Sequence, residues 1–231
     1  MAAKTRNSHF IVGGSGWAVD LTSDFNSASV DGSITPASKN ANEQDWIFKC
    51  IVNAVRSITV GNLYASTRTD EIRDRKEGYA FLVNNTPGLQ VAWDGGISIF
   101  PSLSQTASTT DYVLEEVVAQ PNGDWYDGTV GVKFDFTSTV SEFDIPSFTN
   151  IMDAFLVVTE KSAGTQSFEL SDGSNAVTRD VDTVGVYPLA LASLAAGTLA
   201  SATLELTLSS PNTSSGWLLL GTKYAIPNPI E

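Results

Sequence analysis

The stretch Thr129-Val-Gly-Val-Lys-Phe-Asp-Phe136 alternates at a period of two, which places Val130, Val132, Phe134 and Phe136 on one face of a strand. Upstream, Tyr112-Val-Leu-Glu-Glu-Val-Val118 leads into a turn at Pro121-Asn-Gly-Asp124. Downstream, Ala154-Phe-Leu-Val-Val-Thr159 reads as a buried strand and Gln166-Ser-Phe-Glu-Leu170 as another, followed by a turn at Asp172-Gly-Ser-Asn175. Val184-Gly-Val-Tyr187, Thr203-Leu-Glu-Leu-Thr-Leu208 and Gly216-Trp-Leu-Leu-Leu-Gly-Thr-Lys-Tyr224 complete the series. Short strands about ten residues apart, punctuated by Gly, Pro, Asn and Asp, are the pattern of an antiparallel β-sandwich or jelly roll.

The first hundred residues read differently. Gly13-Gly-Ser-Gly16 follows the apolar run Phe10-Ile-Val12 and resembles a phosphate-binding loop. No helix pattern opens after it and no Gly-Lys-Ser/Thr is present, so it reads as a tight turn. Residues 42–58 have helical spacing: Asn42 as cap, Glu43 and Asp45 in the first turn, and Trp46, Cys50, Ile51, Ala54, Val55 and Ile58 on one face. Val52, Val55, Ile58 and Val60 suit a strand as well. Strands are expected over 79–100, with a hairpin at Asp94-Gly-Gly96. The class expected is therefore mainly β, a sandwich or jelly-roll-like C-terminal domain beside a smaller β-rich (α+β) N-terminal domain.

Charge supports a division. The chain of 231 residues has a formal net charge of −13, with 13 basic and 26 acidic residues. Residues 1–110 hold nine basic and ten acidic residues, a net of −1; residues 111–231 hold four and sixteen, a net of −12. Residues 101–110, Pro-Ser-Leu-Ser-Gln-Thr-Ala-Ser-Thr-Thr, are small, polar and uncharged and read as a linker. The expected domains are 1–105, for docking and oligomerisation, and an acidic sandwich over 106–231.

Composition also removes functions. An excess of −13 leaves no basic face for duplex nucleic acid. One histidine, His9, and one cysteine, Cys50, build neither a His/Cys zinc site nor a disulfide framework. No apolar run reaches the roughly 18 residues of a membrane span, and the first ten residues lack the apolar core of a secretory signal. A nucleophilic triad would depend on His9, in an N-terminal segment expected to be mobile, so no catalytic residue, metal or cofactor is assigned. Asp172, Asn175, Asp180 and Asp182 have calcium-type oxygens but not the order of an EF-hand loop, and read as a solvated turn.

Two groups remain as candidate sites. Asp124-Trp-Tyr-Asp127 sets two aromatic rings between carboxylates, the chemistry that stacks on sugar faces and binds sugar hydroxyls. Trp125 is expected near the surface, whereas Trp46, Trp93 and Trp217 lie in apolar runs and are expected in cores. The charge run over 68–78, with Arg68, Asp70, Arg73, Arg75 and Lys76, mixes signs and suits a subunit interface.

The segment from Phe143-Asp-Ile-Pro to Tyr224, with Ser193-Leu-Ala-Ala-Gly197 feeding Leu204-Glu-Leu-Thr-Leu208, resembles β-sandwich modules of tailed-bacteriophage virion proteins: capsid decoration (cement) proteins, head fibres and tail adhesins. The resemblance implies a non-enzymatic homo-oligomer in a virion, assembled in the bacterial cytoplasm. Its partners would be other virion proteins and copies of itself, with a glycan receptor in the adhesin case. Shallow contacts repeated over many copies would supply avidity.

Overall fold

A computed structural model describes residues 8–21, 27–40, 47–64, 72, 75–84, 92–106, 114–136, 140–144, 153–191, 203–208 and 214–223. The strands of the first half are β1 (Ser8–Gly14), β2 (Trp17–Asp20), β3 (Ser27–Asn40), β4 (Ile47–Tyr64), β5 (Glu77–Asn84) and β6 (Ala92–Thr106). They are followed by β7 (Leu114–Phe136), β8 (Val140–Asp144), β9 (Asp153–Lys161) and β10 (Gln166–Ser171). The last four are β11 (Ala176–Val181), β12 (Gly185–Leu189), β13 (Thr203–Leu208) and β14 (Ser214–Lys223). The architecture is antiparallel and sandwich-like, as expected.

Ten strands form one sheet. Its path is β12-β9-β14-β7-β6-β5-β1-β2, with β4 added to β7 and β3 to β4. The path curls until its ends meet: Ser15, in the β1–β2 turn, bridges Gly185 at the start of β12. A second sheet of four strands, β11-β10-β13-β8, packs on the outside.

The period of two then sorts the core. Ile11, Ala18, Phe81, Val83, Trp93, Phe155, Val157, Val186, Trp217 and Leu219 fill the inside of the curl. Their sequence neighbours on β9 and β14, including Leu156, Val158, Leu218 and Leu220, pack with Phe168, Leu170, Leu204 and Leu206 of the outer sheet. Strands β9 and β14 are thus covered on both faces, which is why they read as unbroken apolar runs instead of alternating. A third cluster joins Phe10, Val12, Trp17 and Val19 to Ile58, Val60, Ile72, Val117 and Trp125.

Several expectations need correction. Residues 47–58 are strand, not helix; residues 42–46 lie outside the described residues. The β-branched run Ile51, Val52, Val55, Ile58, Thr59 and Val60 outweighs the accidental helical spacing. Residues 101–106 are strand, not linker, and β6 pairs with β7 across the boundary near residue 105. The register shifts between Ile99 and Ser102, where Pro101 lacks the N–H a regular ladder would use. His9 is held in β1 opposite Val83 and is not in a mobile tail.

The Asp94-Gly-Gly96 step is not a turn either; it lies inside β6. A Cβ on Gly95 would stand 2.1 Å from the Ala80 carbonyl oxygen, and one on Gly96 would stand 2.2 Å from that of Asp124. These glycines admit close backbone approach between strands. Pro121–Asp124 is likewise an irregularity within β7, where the β6–β7 register shifts between Gly96 and Ser98. Two expected turns are present. Gly16, at φ 83°, closes the β1–β2 hairpin. Asp172 Oδ1 accepts the Ser174 and Asn175 amides at 2.9 and 2.6 Å in the β10–β11 turn, with Gly173 at φ 85°.

Candidate functional site

The quartet Asp124-Trp-Tyr-Asp127 lies on β7, where it pairs with β6, and alternation splits it between two faces. Trp125 is 3 % exposed and packs in the cluster of Phe10, Val12 and Trp17, so its ring is not a surface platform. Its indole N–H is buried without a partner of hydrogen-bonding geometry, yet lies near enough to the Asp94 carboxyl to favour the charged form. A strand that must cover the third cluster turns its largest apolar side chain inward, whatever polar residues flank it.

Asp127 stands directly opposite Asp94 in the β6–β7 register. Like charges so placed repel. Arg56 of β4 hydrogen-bonds Asp94 through Nη1, and both side chains are about three-quarters buried, at 27 % and 29 % exposure. Burial is the largest influence on Asp94 and raises its pKa; Arg56 opposes the rise and Asp127 adds to it.

Tyr126 points to the other face, into one end of the curl. Its ring meets Phe155 edge-on at 4.8 Å, and its hydroxyl reaches Asp124 Oδ2 at 3.5 Å. Burial, then the charges of Asp124 and Asp153, push its pKa up to about 12. Tyr79, 5.8 Å from the Phe155 ring, is raised by burial and by Asp124. The rim thus carries two tyrosines that stay protonated beside the exposed Asp124 side chain, a hydrogen-bonding surface.

Of the charge run, Arg75 and Lys76 are exposed, and the Arg75 guanidinium sits 5.5 Å from the Trp17 ring. Arg68, Asp70 and Arg73 lie outside the described residues.

Sequence reasoning missed the opposite end of the curl. There Asp20 Oδ2 accepts the Trp217 indole N–H at 3.0 Å and lies 3.3 Å from His9 Nδ1. The His9 and Trp217 rings meet edge-on at 4.4 Å. Positions 9, 20 and 217 share no local pattern; only the β1–β2 hairpin and the curl bring them together.

No family model and no curated protein matches this chain. Among solved structures, a chain of the virion of a native gene transfer agent particle is similar at 9 % identity and a TM-score of 0.38, over 50 % of this chain and 92 % of that one. The SPP1 Dit protein, described as a paradigm of the hub adsorption apparatus in phages infecting Gram-positive hosts, is similar at 12 % identity and a TM-score of 0.34, over 94 % of this chain and 99 % of that one. Both are proteins of phage or gene transfer agent particles.

Proposed function

We propose that the chain is a non-enzymatic structural protein of a bacteriophage particle, a capsid decoration or minor capsid protein that assembles as a homo-oligomer. The supporting observation is the β3–β4 ribbon. Strand β4 joins β7 only between Ile58 and Tyr64. From Asp31 opposite Ser57 to Asn40 opposite Ile47, β3 and β4 pair only with each other among the described residues. At about 3.3 Å per residue this arm is roughly 30 Å long. A two-stranded ribbon is marginal on its own in water, and Ile47-Phe-Lys-Cys-Ile-Val-Asn-Ala-Val55 is mostly apolar. Contact with a neighbouring subunit would stabilise it. The arm belongs to the half with a net charge of −1, where like copies repel least; the −12 half would face solvent and keep particles apart.

Analytical ultracentrifugation tests this reading. The full chain is expected to sediment as an oligomer, and a chain with residues 34–54 replaced by Asn-Gly as a folded monomer. A full-length monomer with no affinity for assembled particles would overturn it.

The second reading is receptor recognition through a glycan. Tyr126, flanked by Asp124 at the rim, favours it, with Trp125 no longer part of the stacking surface. Glycan-array binding that is lost in Tyr126→Ala supports that reading, and a blank array removes it.

A further inference from the structure

A cleft of about 190 Å³ opens where β7, β9, β14 and the turn after β9 converge, lined by Asp135, Glu160, Lys161, Ser162, Ser214 and Ser215. Its wall is built by register. Ser215 stands opposite Asp135 on one side and Glu160 on the other, so the two carboxylates flank one hydroxyl in a row across three strands. The β14–β9 register shifts between Ser215 and Gly216, with Thr159 left over on β9, and such bulges locally re-aim side chains. Thr159 Oγ1 ties the bulge down by donating to the Ser215 carbonyl at 3.1 Å.

The floor is polar, buried and internally satisfied. Gln166 is fully buried and Ser214 is 1 % exposed; the Ser214 hydroxyl donates to Gln166 Oε1. Gln166 Nε2 in turn donates to Ser162 Oγ at 2.9 Å. The Lys161 ammonium is held by the carbonyls of Ser162 and Gly164 at 2.9 and 2.7 Å. Lys161, Ser162 and Ser214 are thereby fixed before any ligand arrives, which lowers the ordering cost of binding.

We propose that this cleft binds a single neutral sugar ring. Every lining residue brings a polar or charged group to a wall that also exposes aliphatic carbon, the mixture of surfaces that a sugar ring itself presents. Two carboxylates beside an ammonium already engaged by carbonyls disfavour an anion. Vicinal hydroxyls match the lining, because they can donate to Asp135 or Glu160 and accept from the Ser162 hydroxyl, whose oxygen already takes the Gln166 amide. The volume is below the roughly 300–1,000 Å³ of drug-sized pockets and suits one ring. The proposal deepens the receptor reading by naming a site remote from Tyr126, and the two sites are separable by mutation. With no stacking ring in the lining, affinity per copy is expected to be about millimolar, and repetition over a particle would compensate.

Saturation-transfer difference NMR on the full chain tests it, with glucose, galactose, N-acetylglucosamine and rhamnose at tens of millimolar and glycerol as the polyol control. At least one sugar, and not glycerol, is expected to receive saturation, weakened about fivefold or more by Glu160→Gln and by Ser162→Ala. Should Glu160→Gln fail to fold, Ser162→Ala carries the comparison. Silence from every sugar, an equal response from glycerol, or a response that survives Asp135→Asn with Glu160→Gln overturns the cleft. A response lost in Tyr126→Phe but kept in the cleft variants also overturns it, while leaving glycan recognition at the rim.

Discussion

Trp93 on β6 stands opposite Gly128 on β7, and a Cβ at position 128 would lie 2.3 Å from its indole nitrogen. The missing side chain lets the Trp93 N–H donate to the carbonyls of both Val130 and Leu220, at 3.1 Å each. One indole thereby locks β6 to β7 and β14 from inside the curl. Gly128→Ala is expected to destabilise the fold by about 2–4 kcal/mol through overpacking. Trp93→Phe should cost about 1–3 kcal/mol because it withdraws the donor both carbonyls share. Urea denaturation followed by circular dichroism measures both, and a change below 0.5 kcal/mol (about the scale of an ordinary surface substitution) would show that the contact is slack.

Trp125 makes the reverse case. Its N–H is buried and lacks a well-formed partner, so Trp125→Phe removes an unsatisfied donor while keeping most of the apolar volume. That variant is expected to be within about 1.5 kcal/mol of the parent. Trp125→Ala, which empties the site, should lose about 3–5 kcal/mol. Equal losses would mean that the N–H is used.

Arg56 holds apart the repulsion between Asp94 and Asp127. Since Asp94 is raised above its ordinary value, the stability tied to its protonated form is complete below about pH 4 and declines as pH rises through the folded-state value. Removing Arg56 enlarges that decline. Arg56→Met is therefore expected to cost about 1–3 kcal/mol at pH 7 and clearly less below pH 4. Asp94→Asn in the same chain should restore most of the loss at pH 7. A penalty independent of pH would instead assign Arg56 a packing role.

Tyr126 controls the alkaline side. With its pKa pushed up to about 12, the folded chain keeps a proton that the unfolded chain releases near 10. Stability is complete below pH 10 and is lost as pH rises from there to about 12. In ultraviolet difference titration, Tyr126→Phe should abolish a late phenolate step and flatten the alkaline loss of stability. A parent chain whose tyrosines all ionise near 10 would contradict this.

The alternating and doubly buried strands were legible because local period and tertiary environment agree: Val130, Phe134, Leu204 and Leu206 face one core in the structure as they do on paper. The failures came where one residue type serves two physical ends. Gly95 and Gly96 have the composition of a turn but answer to strand crowding, which depends on Ala80 and Asp124, distant in sequence. The β4 segment satisfies helical spacing by coincidence, and its β-branched residues together with the long pairing with β3 decide against a helix. For Trp125 the information was local: adjacent strand residues face opposite ways, so Trp125 and Tyr126 could not have stacked on one sugar. The His9–Asp20–Trp217 group and the polar cleft depend on chain closure over large sequence separations, which no window of residues contains.

The meeting of Ser15 with Gly185 leaves a curl whose ends cover each other. Open strand edges among the described residues then lie on β8 and β11 of the small sheet and along the β3–β4 arm of the large one, where β4 pairs with β7 only from Ile58 onward. Unpaired edges are where fibrous aggregates begin. Setting the ends of the largest sheet against each other through Ser15 and Gly185 leaves the β3–β4 arm as its longest unpaired perimeter, and so the place where strand exchange between copies would start.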